Sequence, residues 1–297
     1  MVAGPVPIKA IPVRHYGRWA GAVVVLGLLG LLVNAFATAN INWDTVGEYL
    51  TFDTILEGTL NTLYISVLSM VLGVVLGVVL AVMRLSDNPL LRSVAWGYIW
   101  IFRGTPVIVQ LTIWWNLSLV FPNFNLGFYS ESMNTFMTPF LAALLGLGLN
   151  EAAYMAEIVR AGIQSVDEGQ SEASHALGMS KAKTMRRVVL PQAMRVIIPP
   201  TGNEYINMLK TSSLAFVAQY NELYKRSTDI SSSSLAVIEM MLVASVWYLI
   251  LTSVFSIGQF YLERHYAKGS LRSLPDTPIQ KIKRMAFSLR RPEVPRS

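Results

Sequence analysis

Long apolar runs separated by short polar segments dominate the chain. Six are long enough, at about 20 residues each, to cross a hydrocarbon core of roughly 30 Å as helices. They lie near 19–39, 58–83, 93–121, 136–159, 191–217 and 235–262. Pro106 in the third run, and Pro199 and Pro200 in the fifth, predict kinks or short interruptions, because proline removes a backbone donor and crowds the preceding turn. The polar alternation at period two that a membrane β-barrel requires is missing from these runs. The pattern predicts an all-α membrane protein.

The placing of Lys and Arg then sets an orientation. With a cytoplasmic N-terminus, the inside segments hold 19 of the 24 basic residues, including Lys181, Lys183, Arg186 and Arg187 in the longest loop. The outside segments hold only Lys225 and Arg226, against Asp44, Glu48, Asp53, Glu57, Glu131, Glu222 and Asp229. A multi-pass protein of the cytoplasmic (plasma or inner) membrane with both termini inside is expected. The acidic outside could meet a basic patch on a partner, or could simply be the other half of the inside bias.

Composition closes off other classes. Over 297 residues, 53% are hydrophobic and 14% charged, with a mean hydropathy of +0.45. A soluble domain carries nearer a quarter charged residues. Without cysteine, disulfides, iron–sulfur clusters and cysteine-ligated zinc are excluded. His15, His175 and His265 are scattered and form no His-Glu-x-x-His pattern. No G-x-x-x-x-G-K-[ST] phosphate loop occurs; Lys183 and Lys210 precede threonine but lack the preceding glycine. No catalytic constellation, cofactor, metal or nucleic-acid partner is expected.

The two ends carry open alternatives. Residues 1–39 read either as an added, retained helix or as a signal peptide with Ala37-Thr38-Ala39 as its small-residue site. The basic tail 266–297 reads as ordinary inside charge, or as a helix lying on anionic lipid, with Ile279, Ile282, Met285, Ala286 and Leu289 on one face. The chain divides as 1–54 (N-terminal segment, first helix and outside linker), 55–265 (transmembrane domain with a loop over 160–190) and the tail.

The segment from Arg160 to Leu190 is unusually long for an inside loop. Ser165, Asp167 and Glu168 have N-terminal capping character, and Gly178 is a stop. Ser180 begins a second helical stretch, Lys181 to Val189, ending into Leu190-Pro191. Here the sequence resembles a known family. Glu172-Ala173-Ser174, Gly178 and then Val188-Val189-Leu190-Pro191 match the EAA loop of ATP-binding cassette (ABC) importer permeases, with Ser174 and Val188 as mild departures. Arg103-Gly104-Thr105-Pro106, Val109-Gln110-Leu111, the run Glu151 to Arg160, Pro191-Gln192-Ala193 and Leu209 to Leu214 are similar to its polar amino-acid (histidine/glutamine-type) branch.

The resemblance covers roughly 55–265. It implies a type I ABC importer permease fold, a five-helix core here preceded by an additional N-terminal helix. It further implies a second permease subunit, identical or homologous, separate ABC ATPase subunits inside, and an extracytoplasmic substrate-binding protein outside. Coupling to the ATPase would fall to Glu172, Ala173, Ser174, Gly178, Leu190 and Pro191. Small residues there permit close packing, and Gly178 a sharp turn.

Polar groups at membrane depth are costly and mark functional sites. Arg103, Glu151, Asn203, Glu204, Asn207 and Lys210 are the candidate translocation pathway; Asn203, Asn207 and Lys210 share one helical face by spacing. Glu157 is expected to pair locally with Arg160. Glu151 and Glu204 either pair structurally with Arg103 or Lys210, or line a cavity that holds an amino acid's ammonium while a cation holds its carboxylate. The function expected is the membrane subunit of an ATP-driven importer for polar amino acids. The alternative is an ion-coupled secondary transporter using Glu151 and Glu204.

Overall fold

The computed structural model of the protein describes residues 16–266 except Leu126 and Tyr129. The basic tail after 266, and both of its readings, lie outside the described residues. The chain falls into two units, 1–45 and 46–297. The first carries α1 (Tyr16–Thr38), an unbroken helix with a mean hydropathy of 2.3 over Trp19–Thr38.

Helix α2 (Trp43–Leu50) leads into the second unit, where a plain linker is expected. Its Val46 is buried, and its last carbonyl, Leu50 O, accepts from Trp247 Nε1 at 2.9 Å. The core of the unit is α3 (Asp53–Arg84) packed along α7 (Pro139–Gln164). Small buried residues, Ser66 and Ser69 on α3 and Ala152 and Ala156 on α7, bring the two backbones close. Ile65, Leu111, Leu147 and Met208 fill one end of the core, and Met70, Met155, Val159 and Ile197 the other.

The third apolar run is two helices rather than one kinked helix. Asn88 caps α4 (Pro89–Gly104), accepting from Leu90 N at 2.9 Å. Thr105 is extended at φ −119° and ψ 145°, because a residue before proline is steered out of the helical region. Pro106 then opens α5 (Val107–Trp115). Side chains satisfy the carbonyls this break exposes: Gln110 Nε2 donates to Phe102 O at 2.9 Å, and Asn150 Nδ2 to the same oxygen at 2.8 Å.

In the fifth run, of the kinks or short interruptions expected at Pro199-Pro200, no interruption occurs. Both prolines sit inside α10 (Leu190–Thr211), and the helix tightens only at Ser212–Ala218, into a 3₁₀ turn. Neighbouring helices can accommodate proline inside a membrane helix. Here α12 (Val237–Tyr266) packs along α10, and Gln259 Nε2 donates to Pro199 O at 2.7 Å.

By length and composition, α1, α3, α7 and α12 can cross a membrane unaided. The α4–α5 pair falls short through its break, and α10 through its polar residues. Between α5 and α7 stand a hairpin, β1 (Asn123–Asn125) antiparallel to β2 (Ser130–Ser132), and the single turn α6 (Met133–Phe136). Another helix, α11 (Leu223–Ser234), precedes α12. None of these small elements is foreseen by the apolar pattern.

Candidate functional site

The loop after α7 forms two short helices about a glycine, as the sequence predicts. Asp167 caps α8 (Glu168–Ala176), its carboxylate accepting from Gly169 N at 2.8 Å. Ser165 is not an N-cap: it closes α7, its hydroxyl donating to Gly162 O at 2.7 Å. Gly178 has φ +77°, a conformation that is strained for residues with a Cβ. Its N–H donates to His175 O at 2.9 Å and Met179 N to Ser174 O at 3.0 Å, so the αL residue ends α8 and satisfies its last carbonyls.

Ser180 caps α9 (Lys181–Thr184). A π-turn over Met185–Val189 follows, and the helical path continues through Leu190 and Pro191 into α10. The expected stop at Leu190-Pro191 is therefore absent: Pro191 follows the π-turn directly and lies in the first turn of α10. Glu172, Ala173, Gly178, Leu190 and Pro191 are exposed. Ser174 is buried, its hydroxyl donating to Gln170 O at 2.7 Å. The loop thus presents an acidic and small-residue surface on α8, joined through the Gly178 turn to α9, which runs on through the π-turn into α10.

Deeper in the bundle, a cavity of about 370 Å³ is lined by Asn150, Glu151 and Tyr154 of α7 and by Glu204, Asn207, Lys210 and Thr211 of α10. Leu147, Val107 and Met208 form its apolar wall. Glu151 is only 6% exposed, and its Oε1 has no hydrogen-bond partner. A buried polar atom without a partner costs free energy, most of all in a carboxylate. Neither Glu151, Glu204 nor Lys210 forms an ion pair among the described residues. The expected pairing of the two acids with Arg103 or Lys210 is thus not seen among the described residues, and both acids line the cavity. A larger cleft of about 670 Å³ between α3, α7 and α10 is almost wholly apolar and brings no converging polar groups together.

Two expected pathway residues lie elsewhere. Asn203 turns towards α12, where its Nδ2 donates to Glu263 Oε1 at 3.1 Å. Spacing gave it the face of Asn207 and Lys210, but a polar partner on α12 draws it away. Arg103 lies in a neighbouring cavity, its guanidinium 5.1 Å from the centre of the Tyr154 ring. Glu157 and Arg160 pair side by side as expected. Asn150, Tyr154 and Thr211 also line the cavity and are not foreseen by the sequence; for Asn150 and Tyr154 the signal is their spacing from each other of one α7 turn, beside Glu151.

A family model described as "Binding-protein-dependent transport system inner membrane component" matches residues 73–268. The arginine transport system permease protein ArgU of Corynebacterium glutamicum is 54% identical over 276 residues, which is 92% of this chain and 87% of that protein. The probable amino-acid permease protein YxeN of Bacillus subtilis is 36% identical, over 77% of this chain and 97% of that one. Among solved structures, an amino acid ABC transporter crystallised with histidines superposes with a TM-score of 0.67 at 33% identity, covering 76% of this chain and all of that one. The MetNI methionine transporter shares the fold, with a TM-score of 0.59 at 21% identity.

Proposed function

The chain belongs to the family of binding-protein-dependent transport system inner membrane components, and from that premise we propose how it works and on what. It is an ABC importer permease subunit. Its cargo is an amino acid. ATP is hydrolysed on separate ATPase subunits, a second permease completes the pathway, and an extracytoplasmic binding protein delivers the solute. Both termini face the cytoplasm, and α1 is retained as an addition to the domain 55–265. Family membership displaces the ion-coupled alternative.

The single observation that carries the cargo reading is the cavity around Glu151. A buried carboxylate with an unpartnered oxygen shares it with Glu204, Asn207 and Lys210. Carboxylates suit an ammonium and Lys210 suits a carboxylate, so the site complements both charges of an amino acid. Two acids against one base favour a solute with an additional positive charge. The relative named for arginine transport supports the same choice.

Mechanistically, ATP binding draws the ATPases together, and α8 transmits that movement. Because α9, the π-turn and α10 form one continuous helical path, displacement of the loop tilts α10 and moves Glu204, Asn207 and Lys210 relative to Glu151 on α7. The cavity then alternates between the two faces of the membrane, a two-state shift biased by nucleotide and by loaded binding protein. The test is L-arginine uptake by the complex reconstituted with its ATPase and binding protein, with Glu151→Gln as the variant. ATP-dependent uptake that is lost in the variant supports the reading. Arginine uptake unaffected by the substitution contradicts it.

A further inference from the structure

A second cavity, of about 390 Å³, lies beside the first, towards the α8 end of α7. Arg84, Arg103 and Arg160 line it with Trp96, Trp100 and a single carboxylate, Glu157. Glu157 is already engaged by Arg160, and Arg160 also donates to Gln164 Oε1 at 2.7 Å. Arg84 and Arg103 form no ion pair among the described residues. Trp96 and Trp100 stack 6.1 Å apart, one turn from each other on α4, and make a flat wall.

The two cavities share a boundary. Asn150, Tyr154, Glu157 and Arg160 follow one another at helical spacing down one face of α7. The first pair lines the cavity around Glu151, the second pair lines the arginine cavity, and Tyr154 stands between them with Arg103 over its ring. From Glu151 to Arg160 the helix rises about 14 Å. Guanidinium groups without carboxylate partners recognise oxyanions through planar, paired donors.

We propose that the arginine cavity is an oxyanion station on the cytoplasmic side of the pathway, which takes the carboxylate of the departing amino acid once it has passed Tyr154. This rests on the amino-acid reading above. The station gives the solute's carboxylate a partner after it leaves Lys210, so the charge is never carried bare through the bundle. A phospholipid phosphate has the same oxyanion chemistry, and the test separates the two sources.

The chain has no cysteine, so a single introduced thiol is a clean reporter in a complex built with cysteine-free partners. Trp100→Cys places it in the cavity, and Trp96→Cys is a second reporter should the first disturb folding. The rate of modification by a negatively charged sulfonate thiosulfonate is compared with that by a trimethylammonium one, each relative to Asn125→Cys in the β1–β2 hairpin. A focusing positive cavity is expected to favour the sulfonate by about tenfold. Arg84→Gln with Arg103→Gln abolishes that preference. L-arginine slows the sulfonate reaction, and its decarboxylated analogue agmatine does not. The absence of any preference, or a preference that survives both substitutions, overturns the station. Slowing by phosphatidylglycerol relative to phosphatidylcholine vesicles, without slowing by L-arginine, assigns the cavity to lipid and also overturns it. Failure of the amino-acid reading appears separately, as absent ATP-driven uptake of L-arginine.

Discussion

Gly73 leaves no room for a side chain opposite Glu151: a Cβ there would stand 2.6 Å from the Glu151 Cγ. The closeness of α3 to α7 therefore positions the carboxylate at the cavity. Gly73→Ala is expected to displace it and, through overpacking, to cost about 1–3 kcal/mol of stability. Thermal unfolding in detergent and uptake should both fall. Gly47, with nothing within 4 Å, should accept alanine without either loss.

Glu151→Gln keeps the shape of the side chain and removes its charge. If the carboxylate holds a cationic group of the solute, the lost charged hydrogen bond amounts to about 1.5–3 kcal/mol. Uptake at limiting substrate should then fall roughly 10- to 100-fold. Asn203→Ala, by contrast, removes a contact to Glu263 on α12 and should leave apparent affinity for the solute unchanged. Concentration-dependent uptake checks both; an affinity loss in Asn203→Ala would return that residue to the pathway.

Glu222 caps α11, accepting from Tyr224 N at 2.8 Å and Lys225 N at 2.7 Å, and from the Tyr248 hydroxyl at 2.7 Å. Burial pushes its carboxyl up to about 7, against the lowering effect of the Tyr248 hydroxyl and the two N–H groups. An acid whose folded value is raised binds its proton more tightly when folded. Its stabilising effect is complete below the unfolded value near 4.5 and is lost as pH rises through about 7. Melting temperature should fall between pH 5 and 8 (a range spanning roughly the two values), and Glu222→Gln should flatten that slope. An identical slope in the variant would assign the pH dependence to other groups.

Gly178 holds φ +77° at the end of α8. Valine is strained in that conformation, and replacing glycine there should loosen the turn that sets α8 against α9. Gly178→Val should insert into the membrane normally yet lose ATPase co-purification and uptake. Full coupled uptake in this variant would remove the loop from the coupling role.

The apolar pattern made the long helices legible because their length and composition depend on local sequence alone. The loop after α7 was legible for a similar reason: Asp167, Gly178 and Ser180 act through local caps and one turn. The cavity was legible only in part. Glu151, Glu204, Asn207 and Lys210 converge because α7 and α10 cross, which no spacing along one helix reveals. Asn203 was assigned by that spacing and misplaced, since Glu263, 60 positions away, decides where its amide points. The continuity of α10 through Pro199-Pro200 was likewise hidden, because it accompanies packing against α12. Helices α2 and α11 carry too few apolar residues to stand out as runs; their order follows from tertiary contacts such as Trp247 to Leu50 and Thr62 to Leu223.

This chain is proposed to be the permease of an ATP-driven amino-acid importer. Proteoliposomes containing it with its ATPase and binding protein test that most directly, by uptake of labelled L-arginine with ATP on the α8 side and an uncoupler present. Uptake that requires ATP, requires the binding protein and persists with the uncoupler is the predicted result. Uptake that proceeds without ATP and collapses when the proton gradient is dissipated would instead make the chain an ion-coupled transporter.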